Sequence, residues 1–195
     1  MGIELSLCAG RRVARRWAFV VAAFGLAFAA PRASSAVERQ HHVGIAPSFS
    51  ALSVADQASW RLGGGLGAYY TYGLTDQFNL MVDAGATYLA PNDETRAARR
   101  QPATIAHGLV GAAYVLDVLR WVPYAGLLVG PYVFAGGDLA APNVHVGGAL
   151  QAGLDYQVTP SVATGVAARQ HLLFTSGDYA SFTTVLLRAE YTWGF

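Results

Sequence analysis

The chain has 195 residues, 53% of them hydrophobic and 13% charged, with one cysteine and a formal net charge of +1. That length suits one domain with room for a processed segment, and charge this sparse and balanced offers no basic patch for nucleic acid. A single cysteine excludes an intrachain disulfide, and no apolar run reaches the roughly 20 residues of a membrane-spanning helix.

The longest apolar run, Trp17 to Ala30, follows Arg11, Arg12, Arg15 and Arg16 and precedes Pro31-Arg32-Ala33-Ser34-Ser35-Ala36. A basic start, a short apolar stretch and small residues at Ser34 and Ala36 predict a secretory signal peptide over residues 1–36, cleaved after Ala36. Cys8 leaves with it, so the mature chain carries no thiol. Residues 37–195 keep eight arginines, no lysine and eleven acids, a net charge of −3. They form the second predicted unit, a single domain.

Within that domain the hydropathy alternates with period two, the signature of strands with one apolar face. Gln40 to Ser50 sets Val43, Ile45, Pro47 and Phe49 against His42, Gly44, Ala46 and Ser48; Pro47 is awkward, because a ladder position loses its donor there. After a polar loop at Val54 to Ala58, Trp60 to Leu74 sets Leu62, Leu66, Ala68, Tyr70 and Tyr72 against Arg61, Gly63, Gly65, Gly67, Tyr69 and Thr71. A tight turn at Thr75-Asp76 leads to Gln77 to Leu89, with Phe78, Leu80, Val82 and Tyr88 opposite Asn79, Met81 and Asp83. Ala90 to Pro102, with Asp93, Glu94, Arg96, Arg99 and Arg100, reads as an exposed loop.

Ala103 to Leu116 is a fourth strand, apolar on both faces, with His107 and Gly111 opposite Val110, Ala112 and Tyr114. Asp117 to Arg120 turns the chain into a fifth, Trp121 to Phe134, where Gly126 and Gly130 inward place Ala125, Leu127 and Val129 outward. A Gly/Pro/Asp loop at Ala135 to Asn143 follows. Val144 to Val158 sets Val146, Leu150, Leu154 and Tyr156 against Gln151, Gly153 and Asp155. Thr159 to Ser161 turns, and Val162 to Phe174 sets Val166, Ala168 and Leu172 against Gly165, Arg169 and His171. A last loop, Thr175 to Ala180, precedes the eighth strand, Thr183 to Phe195, where Val185, Leu187, Ala189, Tyr191, Trp193 and Phe195 share a face opposite Arg188 and Glu190.

This final strand resembles the C-terminal strand of bacterial outer-membrane β-barrels, in which apolar residues alternate up to a terminal Phe. The residues that carry the likeness are Val185, Leu187, Tyr191, Trp193 and Phe195. The resemblance implies that they form the signal read by the barrel-assembly machinery, with periplasmic chaperones as earlier partners. The connections point the same way: short ones at Thr75-Asp76, Asp117 to Arg120 and Thr159 to Ser161 alternate with longer loops. Short turns on one side and longer loops on the other describe an eight-stranded antiparallel up-and-down transmembrane β-barrel with its turns in the periplasm. The likeness covers the whole mature chain but is architectural, close in size to barrels of the OmpA, OmpX and OmpW types.

A soluble barrel of lipocalin type would point its apolar face inward around a ligand. Here the large residues and aromatics share one face, whereas the glycines and most strand charges share the other, as expected for a barrel whose apolar face meets lipid and lipopolysaccharide. Eight strands leave an interior that side chains fill, so inward charges must pair. The expected plug joins Asp83, Asp155, Arg169, Arg188 and Glu190, with Arg61 near the opposite rim.

Two small outer-membrane barrel families are lipid A-modifying enzymes, and His171 with Ser176 or Ser181 and Asp178 is the nearest arrangement of that kind. In the deacylases His and Ser lie two apart on one lipid-facing strand; here His171 faces the lumen and no serine lies two residues away. The residue pattern therefore predicts no catalytic residue. His41 and His42 point to opposite faces and cannot share a metal, and His107 and His145 read as single inward side chains. No cofactor is expected. The functions left open are a monomeric structural or adhesive barrel, or a narrow channel for small or hydrophobic solutes.

Overall fold

The computed structural model describes residues 39–53, 60–90, 102–116, 120–137, 139–174 and 181–194. The predicted signal peptide, Cys8, the arginines of the long loop, Ser176, Asp178 and Phe195 lie outside the described residues. Eight strands follow one another: β1 (His41–Ser53), β2 (Trp60–Gly73), β3 (Phe78–Leu89), β4 (Thr104–Val115), β5 (Trp121–Ala135), β6 (Asn143–Thr159), β7 (Val162–Leu173) and β8 (Ser181–Trp193). Each pairs antiparallel with the next, and β8 pairs back onto β1, so the sheet closes into a barrel without an edge. Closure removes the row of unpaired backbone groups that an open sheet exposes.

The β2–β3 turn is held by Thr75, whose Oγ1 accepts from the amides of Phe78 at 3.0 Å and Gln77 at 3.3 Å. The β1–β8 ladder pairs Ile45 with Ala189 and Ser48 with Leu186 but skips Ala46 and Pro47. Pro47 has no N–H to donate, and the ladder breaks where the barrel closes. On its other side β1 pairs continuously with β2, Pro47 opposite Leu66.

Period-two alternation sets which way each side chain faces. Ile45, Leu66, Leu127, Val146 and Leu187 point outward and are 57 to 60% exposed. Fully buried Leu52, Leu89, Ile105, Leu128, Tyr132 and Phe134 point inward. On β4, Ile105, Leu109 and Ala113 are buried and Val110 is exposed; on β5, Tyr124 and Leu128 are buried and Leu127 and Val129 exposed. His107 and the glycines of β5 thus share the lumen phase, the orientation that glycine placement predicts.

Outward aromatics gather at the short-turn end. Phe78 meets Tyr114 edge-on at 5.3 Å, Trp121 lies 4.7 Å from Tyr156, and Tyr191 stacks 6.1 Å from Trp193. His41 joins this belt, stacked on Trp193 at 5.4 Å with its Nδ1 2.7 Å from the Tyr70 hydroxyl. The loop end carries Phe49, Tyr88 and Phe174 on its outer face. Aromatics on the outer face are therefore dense at the turns and sparse at the loops.

Candidate functional site: the lumen

The inward residues form three layers. At the loop end Leu52, Leu89, Ile105, Phe134, Leu173 and Phe182 pack as an apolar core. Phe182 stacks on the His171 ring at 4.0 Å, and His171 Nδ1 lies 2.9 Å from the Tyr132 hydroxyl. Arg61 sits beside this core and donates to the carbonyls of Pro102 at 2.8 Å and Ala90 at 3.1 Å, fixing the base of the longest loop.

In the middle layer Arg169 of β7 reaches across to Asp83 of β3, Nη1 to Oδ1 at 2.7 Å and Nη2 to Oδ2 at 2.8 Å. Two parallel charge-assisted bonds are the strongest geometry that a guanidinium and a carboxylate adopt. Arg169 Nε donates to Gln151 Oε1 at 2.7 Å, and His107 Nε2 lies 2.9 Å from Asp83 Oδ1. Each of the three guanidinium nitrogens thus has an acceptor, as burial of a charge requires.

The turn-end layer is built around Arg188. Its Nη1 meets Asp155 Oδ2 at 3.1 Å and its Nη2 meets Glu190 Oε2 at 3.0 Å. The guanidinium lies between two rings, its Cζ 4.2 Å from the centre of Tyr69 and 4.6 Å from that of Tyr124. Both rings need room on the neighbouring strand, and glycine supplies it: a Cβ on Gly44 would overlap the Tyr69 ring, and one on Gly153 the Tyr124 ring. Glu190 is held from its other side by His42 Nδ1 at 2.8 Å.

The five charges expected to form one plug thus separate into two groups, Arg169 with Asp83 and Arg188 with Asp155 and Glu190. The register explains the division: Arg188 pairs with Gly165 and Arg169 with Thr184, four residues apart along both strands. Gln151 joins the groups, donating from Nε2 to the Tyr124 hydroxyl at 2.9 Å while accepting from Arg169. The plug also has parts that charge reasoning omitted: Tyr69, Tyr124, Gln151, His107, His42 and the apolar layer above. Tyr69 and His107 already stood on the glycine faces of their strands, and an aromatic ring in that phase was the available signal. His107, read as a single inward side chain, does face the lumen, where it meets Asp83 and lies 5.5 Å from His171. His145 lies edge-on to Phe134 at 5.3 Å.

Val185, Leu187, Tyr191 and Trp193 of the predicted assembly signal all point outward, between 39 and 59% exposed. His171 is 1% exposed and turned to Tyr132 and Phe182, whereas Ser181 pairs with Leu172. A base must reach its nucleophile, and among the described residues His171 Nδ1 meets the Tyr132 hydroxyl while no hydrogen bond joins the imidazole to a serine. Among the described residues no three acidic, histidine or cysteine side chains gather as metal ligands.

No protein-family model and no curated protein matches the sequence. Solved structures do match in fold. Neisserial surface protein A is 16% identical, with 80% of this chain and 97% of that one covered and a TM-score of 0.59. Ail, the attachment invasion locus protein of Yersinia pestis, is 15% identical, with 80% and 99% covered and a TM-score of 0.54. The outer membrane protein OprG from Pseudomonas aeruginosa is 14% identical, with 83% and 100% covered and a TM-score of 0.53. The closed eight-stranded antiparallel ladder is the fold of these small outer-membrane β-barrels, and this chain has it.

Proposed function

We propose that the protein is an integral outer-membrane barrel of structural, adhesive or surface-interaction type, monomeric, with its turn end in the periplasm and its lumen shut. The inversion of its polarity carries this reading. Leu66 and Leu187 face out at 60% and 59% exposure while Arg169 and Asp83 sit inside at 2%. In water such an exterior would be an adhesive apolar surface far larger than soluble monomers expose; in lipid it is the favoured surface, and the closed ladder satisfies the backbone. Export through the inner membrane by the predicted signal peptide and insertion by the barrel-assembly machinery belong to the same reading, with lipid and lipopolysaccharide as its surroundings and no chemistry of its own.

A narrow channel is the second reading, and one feature favours it: a cavity of about 50 Å³ at the turn end, lined by His42, Thr71, Asn79, Asp155, Arg188 and Glu190. The Tyr69–Arg188–Tyr124 layer and then the Arg169–Asp83 pair stand between that cavity and the loop end. Conductance across a planar lipid bilayer separates the two. The shut barrel gives no unitary current, and Arg169→Ala gives one only if the plug alone closes the path; steady current from the unaltered protein would establish the channel.

A further inference from the structure

The turn-end cavity is more than a gap in the packing. Its volume of about 50 Å³ is room for roughly four waters or for one small polar solute. Thr71 and Asn79 line it and are 5% and 6% exposed, yet Thr71 Oγ1 and Asn79 Oδ1 have no hydrogen-bond partner. Buried oxygens in a native structure find donors, so these two define where a donor is missing.

The formal charge around them is negative by one. Among the described lining residues Asp155 and Glu190 oppose Arg188 alone, with His42 beside Glu190. Arg188 offers an incoming anion only its Nε, which has no partner, because Tyr69 and Tyr124 cover both faces of its guanidinium and the two carboxylates take its Nη atoms. Among the lining residues the unpartnered acceptors, Thr71 Oγ1, Asn79 Oδ1 and Asp155 Oδ1, outnumber the unpartnered nitrogens, Arg188 Nε and His42 Nε2, and the excess carboxylate lies within low-dielectric walls, which concentrate the field. A bare metal ion would need several ligating side chains, and among the described residues no three His, Cys, Asp or Glu are placed to hold one. A species that brings its own N–H donors and one positive charge meets both requirements.

We propose that the turn-end vestibule is a binding site for a small ammonium cation, its N–H groups donating to Thr71 and Asn79 and its charge balanced by the Asp155 and Glu190 carboxylates. This rests on the membrane-barrel reading only for the compartment that supplies the ligand.

The test uses the full chain with Cys8→Ser and a reporter, Gln157→Cys, at the rim of the same cavity. The folded protein in detergent micelles is treated with two thiol reagents of similar size, trimethylammonium-ethyl methanethiosulfonate and sulfonatoethyl methanethiosulfonate. Relative to free cysteine, the cationic reagent gains on the anionic one by on the order of tenfold, as one excess negative charge nearby requires. Glu190→Gln removes most of that gain. Millimolar methylammonium chloride slows the cationic reagent, and sodium chloride at equal ionic strength does so less. Should Glu190→Gln fail to fold, Asn79→Leu keeps the charges and is expected to abolish the methylammonium effect alone. Equal relative rates for the two reagents, or equal protection by the two salts, overturns the proposal. Neither result depends on lipid: a chain that stays dissolved without detergent defeats the membrane reading and leaves these rates to be judged on their own.

Discussion

Arg169 and Asp83, separated by 86 residues in sequence, face each other across the lumen through two parallel bonds of 2.7 and 2.8 Å. β3 and β7 share no ladder, so this contact braces opposite walls of the barrel in a way that backbone pairing does not.

Removing one partner of such a pair leaves a buried charge, so Arg169→Ala is expected to lower unfolding stability by about 3–5 kcal/mol. His107 remains beside Asp83 and holds the loss toward the lower figure. Replacing both ends, Arg169→Met with Asp83→Leu, costs less than Arg169→Ala alone, because no charge is stranded. Urea titrations of the unaltered protein and the two variants in one detergent give the comparison; a double variant weaker than Arg169→Ala contradicts the bracing role.

Gly153 and Tyr124 form a second coupled pair, since a side chain at 153 takes the space of the ring. Gly153→Ala should cost about 1–3 kcal/mol, the usual penalty of overpacking. In a Tyr124→Ala background the same substitution should cost little. The double-mutant cycle reads the coupling directly, and additive effects would show that the ring does not occupy that space.

The break at Pro47 is expected to be repairable. Pro47→Ala restores a donor to the β1–β8 seam, where an unmet carbonyl has no water to turn to in lipid. The gain, about 1 kcal/mol net for a restored bond, should appear as a higher unfolding midpoint and slower amide exchange at Leu187. Unchanged exchange there argues that the seam is already closed by other means.

How much of this was legible in the sequence follows from what strands encode. Facing was readable along six of the eight strands, because a period of two is a local property: Val185, Leu187 and Tyr191 declare their side without reference to any partner, whereas β4 is apolar on both faces and β5 offered only its glycines. Loop order and strand number followed from the same pattern. Which inward charges meet was not legible, because it depends on register accumulated over several ladders. The offset that separates Arg188 from Arg169 is fixed by the β7–β8 pairing, and nothing local to either residue announces it. The dense belt at the turn end was only partly readable, since Tyr114, Trp121 and Tyr156 come together from three strands.

The claim on which the rest depends is that the outer face meets hydrocarbon, and Leu127→Arg tests it most directly. Leu127 lies near the middle of β5, 57% exposed, opposite Leu150. Measured by reversible unfolding of the protein inserted in phospholipid vesicles, the substitution is expected to cost about 2–4 kcal/mol, as a charge on the lipid face near the midplane does. A change within about 0.5 kcal/mol, the ordinary range for a water-exposed position, would contradict the account.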